Sequence, residues 1–148
     1  MLMNLLIGLP VTLLCLLLQA VMVALCLRRY VEFRRSLHDP SPGSTVLILG
    51  LVMLLMLFGN FLQMAIWALL FVLLGEFESF AQALYFSGVT FSTLGYGDLV
   101  LSKPRQLLSA LEAANGILMF GVSTAVLTAA LHDVIKHYTQ KLRGPEQA

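Results

Sequence analysis

Ser79-Phe80-Ala81-Gln82-Ala83-Leu84-Tyr85-Phe86-Ser87-Gly88-Val89-Thr90-Phe91-Ser92 runs directly into Thr93-Leu94-Gly95-Tyr96-Gly97-Asp98. The stretch is too apolar for an ordinary wet loop, so its centre must lie somewhere dry. Residues 79–92 are enough for a short helix, and those that follow are too few to complete another crossing of a bilayer. A re-entrant hairpin satisfies both conditions. Irregular backbone at membrane depth needs protein around it, because unpaired N–H and C=O groups cannot face hydrocarbon, and neighbouring chains would supply that cover.

Working outward, the flanks read as membrane helices. The hydrophobic fraction is 59% and the charged fraction 11% over 148 residues, against about a quarter charged in a soluble domain. Leu5 to Leu27, Thr45 to Gly75 and approximately Gln106 to Leu131 each exceed the roughly 20 residues that cover about 30 Å of hydrocarbon at 1.5 Å per residue. The second run is longer than a crossing requires, which predicts tilt or projection beyond the lipid. The third carries Glu112 and Asn115 and is the least lipid-like. The expected fold is therefore an all-α membrane protein with three transmembrane helices, a re-entrant short helix and a loop. Its expected divisions are an additional amino-terminal helix (1–27), a basic connector (28–44), the main module (45–131) and a short tail (132–148).

Charge sets the expected orientation. Met1 to Asn4 lack a positive side chain, and Arg28 and Arg29 follow the first apolar run, the reverse of a cleaved export signal, so a retained anchor is favoured. Arg28, Arg29, Arg34 and Arg35 cluster after the first run, and Lys136, Lys141 and Arg143 after the third. The positive-inside bias puts both groups in the cytoplasm and the amino terminus outside, in a multi-pass cell-membrane protein. Cys15 and Cys26 lie eleven positions apart on one straight helix, about 16 Å, too far for a mutual disulfide. No Cys/His set suits structural zinc.

Thr93 to Asp98, entered from Ser79 to Ser92, closely resembles the pore segment of potassium channels, whose usual filter reads Thr-Val-Gly-Tyr-Gly. Leu94 stands where valine is commonest, a modest apolar departure that bears on filter rigidity and on strict selectivity. The resemblance covers approximately Thr45 to Leu131. It implies passive potassium permeation, with K+ as permeant and filter-bound ion and no other cofactor, held by carbonyls of Thr93, Leu94, Gly95 and Tyr96 and by the Thr93 hydroxyl. Main-chain oxygens can replace an ion's hydration shell, and Gly95 and Gly97 reach backbone conformations costly for other residues. Leu94 and Tyr96 are expected to point away from the pore, with Tyr85 and Phe86 as an aromatic cuff. Asp98 is expected at the external mouth, either gathering cations or bracing the filter by a hydrogen bond. Since one chain supplies one filter strand, the resemblance implies three identical partner subunits in a fourfold assembly within membrane lipids.

The third run resembles the inner helix of that family through Gly116-Ile117-Leu118-Met119-Phe120-Gly121. Ile117, Phe120 and Thr124 recur at helical spacing and are cavity candidates, with ordinary interhelix packing as the alternative. Gly116 is a hinge candidate or a close-packing glycine, and Gly121 carries the same ambiguity. Glu112 needs a partner at its depth. Ser87, Thr90 and Ser92 are candidates, Arg105 is a charged one, and Asn115 extends the network. Asn60 and Gln63 read as interhelix hydrogen-bonding groups, and Trp67 as a packing residue.

The first run lacks the repeated arginines of a voltage sensor, so a peripheral packing helix or an accessory-protein contact is expected there. His38, His132 and His137 read as solvated residues. No phosphate loop, dinucleotide fingerprint or metalloprotease pair occurs, and no nucleophile is paired with a base, so an enzyme is not expected. The arginines flank hydrophobic runs and report topology, with no nucleic-acid partner expected. Against the conducting reading stands a nonconducting, channel-like scaffold or regulatory subunit.

Overall fold

Helical stripes of buried residues organise the chain. A computed structural model describes residues 2–36 and 42–143, with side chains over residues 2–32, 43–136 and 139. It contains α1 (Leu2–Ser36), α2 (Pro42–Leu73), α3 (Phe80–Phe91) and α4 (Gln106–Arg143), the last preceded by a 3-10 turn over Lys103–Arg105. Among the described residues three segments are long and apolar enough to cross a membrane: Leu2–Glu32, Gly43–Leu73 and Lys103–Lys136. The protein is an all-α, multi-pass membrane protein.

At two places a helix runs on past its apolar span. α1 continues through Ser36, so Arg28, Arg29, Arg34 and Arg35 ride on the helix. α4 likewise runs on to Arg143. Hydropathy marks where lipid ends, whereas a helix's backbone hydrogen bonding does not stop at that boundary. His38 lies outside the described residues, as do the side chains of Arg34, Arg35, His137, Lys141 and Arg143.

On α1 the buried positions are Asn4, Gly8, Cys15, Gln19, Met22 and Cys26, a stripe of helical period. Leu6, Leu13 and Leu17 point outward and are exposed. Asn4 and Gln19 therefore face helix partners while these leucines lie on the outer surface of the chain, as expected where lipid provides no hydrophobic drive between helices. Cys15 and Cys26 are both free thiols within the stripe.

α1 packs against α2 and α4 of its own chain, at three depths. Asn4 donates to the Pro104 carbonyl at 2.6 Å, Gln19 to Ser123 Oγ at 3.3 Å, and the Tyr30 hydroxyl to Asp133 Oδ2 at 2.6 Å. The middle rung draws in α2: Gln63 donates to Gln19 Oε1 at 2.8 Å and Asn60 to Ser123 Oγ at 3.3 Å. Ser123 passes its proton to the Met119 carbonyl at 2.9 Å, so the hydroxyl accepts two hydrogen bonds and donates one. Asn60 and Gln63 thus join helices, as their spacing suggested.

The main apolar core lies toward the Asn4–Pro104 end of the bundle, around Trp67, Phe71, Phe86, Phe91, Leu108 and Met119. The rings of Phe71 and Phe86 meet edge to face at 5.3 Å, and Phe77 and Phe86 at 5.1 Å. α2 ends in a Schellman turn, with Glu76 N–H donating to the Phe71 carbonyl, Gly75 N–H to the Val72 carbonyl, and Gly75 at φ +72°.

Candidate functional site

The loop after α3 is built from the helix end upward. Ser79 caps α3, its hydroxyl accepting from the Gln82 amide at 3.2 Å. At the other end the Thr93 amide donates to the Thr90 carbonyl at 2.9 Å, and both Leu94 and Gly95 amides donate to the Val89 carbonyl, at 2.9 and 3.3 Å. In a trans peptide the C=O points opposite the next residue's N–H. With these amides turned back onto α3, the carbonyls of Ser92, Thr93 and Leu94 point away from it.

Backbone handedness carries the pattern on. Thr93 has φ +60°, Gly95 +58° and Gly97 +78°, whereas the alternate residues have negative φ. An ordinary extended strand sends successive carbonyls to opposite sides. Alternating handedness cancels that reversal and keeps them on one side. Glycine adopts the left-handed region freely, but a β-branched residue such as Thr93 does so only at a cost of about 1–3 kcal/mol. Thr93 through Asp98 are all exposed in the single subunit, with Leu94 at 55% and Tyr96 at 67%.

The two members of the expected aromatic cuff part company. Tyr85 is exposed and its hydroxyl donates to Asp98 Oδ2 at 2.8 Å. That bond to the Asp98 carboxylate raises the Tyr85 phenol above its ordinary range. Phe86 is buried and turned toward Phe71 and Phe77 of the core, so within one chain it holds the back of α3.

α4 presses on the C-terminal turn of α3. Ser87 Oγ meets Glu112 Oε1, and one turn farther along both helices Gly116 meets Phe91. A Cβ on Gly116 would lie 1.9 Å from the Phe91 carbonyl oxygen. Gly116 is therefore a close-contact glycine in an unbroken helix. Gly121 has open space beside it within the chain. Ile117, Phe120 and Thr124 lie on the exposed side of α4, opposite Glu112, Asn115 and Met119; Phe120 also meets the Phe91 ring at 5.7 Å.

Of the partners expected for Glu112, Ser87 is present. Ser92 instead returns its hydroxyl to the Gly88 carbonyl at 2.7 Å. Arg105 is committed elsewhere: it donates to Glu76 Oε1 at 2.9 Å and to the Leu74 carbonyl. Asn115 is buried beside Cys15 of α1, without a bond to Glu112.

Glu76 is the site residue that sequence reasoning missed. Besides Arg105, it accepts from the Ser102 amide at 2.7 Å and the Ser102 hydroxyl at 2.8 Å, tying the end of α2 to the start of α4. Burial pushes its carboxyl upward, but the Ser102 and Arg105 hydrogen bonds and the Arg105 charge outweigh burial and hold it below the usual range. The available signal was an acid and a base at the two ends of one loop, either side of the filter-like run.

A family model described as ion channel matches residues 45–133. The chain belongs to the ion-channel family. The matched region takes in α2, α3, the loop and most of α4 of this channel, leaving α1 outside. No curated protein and no solved structure matches the channel chain. Family membership makes its function transport of ions rather than catalysis.

Proposed function

We propose that four copies of this channel assemble around a central path and pass potassium selectively and passively. The observation that carries the reading is the alternating handedness at Thr93, Gly95 and Gly97, which turns consecutive carbonyls to one exposed side. One such row cannot enclose an ion, but four rows around an axis form stacked oxygen rings that replace its water. In this reading Thr93, Leu94, Gly95 and Tyr96 supply carbonyls and Thr93 adds its hydroxyl. Tyr85 braces Asp98 at the external mouth. Ile117, Phe120 and Thr124 line a cavity below, on the face of α4 that its own chain leaves exposed.

The exposed Leu94 and Tyr96 side chains then become subunit contacts, covering apolar surface that a lone chain leaves open. Arg28 and Arg29 face the cytoplasm, so the amino terminus is external, α3 enters from outside, and the carboxy terminus is cytoplasmic. Reversal potentials of the purified channel in planar bilayers, under opposed potassium and sodium gradients, test the reading. Values that track the potassium gradient are expected. Values that track both ions equally overturn the selectivity, and absence of current across voltage and pH from intact oligomers overturns the conduction.

A further inference from the structure

Ser87 stands between two oxygens and has one proton to give. Its Oγ lies 2.8 Å from the carbonyl oxygen of Met64 on α2 and also meets Glu112 Oε1 on α4. A main-chain carbonyl only accepts, so the Met64 contact is a hydrogen bond only when Ser87 donates to it. The serine proton is then used. The contact with Glu112 becomes a hydrogen bond only when the carboxyl group supplies the proton.

We propose that Glu112 is held as a neutral carboxylic acid that donates to Ser87, which in turn donates to the Met64 carbonyl, so that one directed chain joins α4, α3 and α2. An ionised Glu112 would leave either its own contact or the Met64 contact as two facing acceptors. The surroundings agree with this assignment. Glu112 is 0% exposed, and its Oε2 has no hydrogen-bond partner. Among the described residues no ion pair includes it. Arg105, in the 3-10 turn just before α4, is held by Glu76 and the Leu74 carbonyl. The groups the structure sets against Glu112 are uncharged: Ser87 of α3, whose hydroxyl also meets the Met64 carbonyl of α2, and Cys15 of α1, itself beside Asn115 of α4. Cys15 is the titratable one among them. A neutral acid leaves a carbonyl oxygen unpaired, which costs less than an unpaired carboxylate in the same dry place.

Glu112 is thereby a positioning residue. It holds Ser87 one turn before Phe91, and Phe91 rests on Gly116, so α3 is seated on α4 at two successive turns immediately ahead of Thr93. The assignment concerns helix seating and does not depend on which ion passes.

Infrared spectra of the full-length channel in lipid at neutral pH provide the test. A protonated-carboxyl C=O band is expected in the wild type and lost in Glu112→Gln. The amide is neutral and can donate to Ser87, so Glu112→Gln should keep wild-type oligomer yield and flux, whereas Glu112→Ala should lose much of both. Ser87→Ala should retain the band at higher frequency, because the acid loses its acceptor. Absence of a protonated-carboxyl band in the wild type overturns the proposal, as does a band unchanged in Glu112→Gln. Glutamine that accumulates no better than alanine also overturns it. The spectrum is read without any flux measurement, so failure here is distinguishable from failure of the selectivity reading.

Discussion

Replacing Gly116 with alanine separates two roles that glycine can play in a long helix. In an exposed helix interior the change is worth up to about 1 kcal/mol in favour of alanine, through backbone entropy alone. At Gly116 the new Cβ would sit 1.9 Å from the Phe91 carbonyl oxygen and 2.8 Å from its carbon. Tolerated contacts begin near 3.4 Å, so α3 and α4 must separate by about 1.5 Å at that point. The obstacle is backbone, and no side-chain rotation relieves it. Overpacking of this kind costs about 1–3 kcal/mol, occasionally more, which exceeds the helix gain and reverses the sign. Gly50 is the control, since a Cβ there meets nothing within 4 Å. The assay is thermal unfolding of the purified channel in one detergent, with ion flux normalised to intact oligomer. Gly50→Ala should be neutral or stabilising. Gly116→Ala should melt several degrees lower, at about 2–4 °C per kcal/mol for a chain of this size, and should lose flux because the displaced Phe91 lies just before Thr93. A Gly116→Ala protein as stable as wild type, with unchanged flux, refutes the apposition. A hinge acting alone predicts altered opening at unchanged stability.

Three further outcomes are expected. Gly95→Ala and Gly97→Ala place side chains at φ +58° and +78°, at about 1–2 kcal/mol each, and should suppress potassium flux per oligomer; wild-type flux and selectivity in both would remove these residues from the ion path. The carboxyl of Glu76 is held below the usual carboxylate range, so its contribution is present above that range and is lost as pH falls through the lower folded value. Melting temperature should therefore drop as pH falls below the ordinary carboxylate range, and the drop should be shallower in Glu76→Gln; equal slopes would show that this carboxylate does not clamp the hairpin. A cysteine introduced at Glu32, which is exposed on α1, should react with an impermeant thiol reagent from the cytoplasmic side only, against a background kept low by the buried Cys15 and Cys26; labelling from outside reverses the topology.

Spans and the short helix were legible because lipid imposes long apolar runs and because Ser79 and Ser92 bracket a segment too short to cross. α3 occupies Phe80–Phe91, flanked by those serines. Helix ends within the polar segments were not legible, since hydropathy stops reporting once a helix leaves lipid, and α1 carried its arginines past Leu27. Partner choice was harder still. Arg105, seven residues before Glu112, could have answered it, and only the fold of residues 76–105 shows that Glu76 takes it first. The split between Tyr85 and Phe86 follows from adjacency on a helix. Neighbours in sequence point about 100° apart, so one reaches Asp98 while the other enters the core.

The polar rungs that tie α1 to α4 and to the turn before it also set a schedule for the nascent chain. Asn4 bonds to a residue 100 positions later, Tyr30 to one 103 positions later, and Gln19 to one 104 positions later. Translation at about 5–20 residues per second leaves α1 in the membrane for roughly 5–20 s before α4 exists. Gln19 is relieved sooner, because Gln63 arrives after 44 positions. Asn4 and Tyr30, near the two ends of the helix, can use interfacial water in the interval, whereas Gln19 lies mid-span. The mid-membrane polar group is thus the one with an early partner on α2, which lets α1 and α2 pair during synthesis and receive α4 as the last helix to dock.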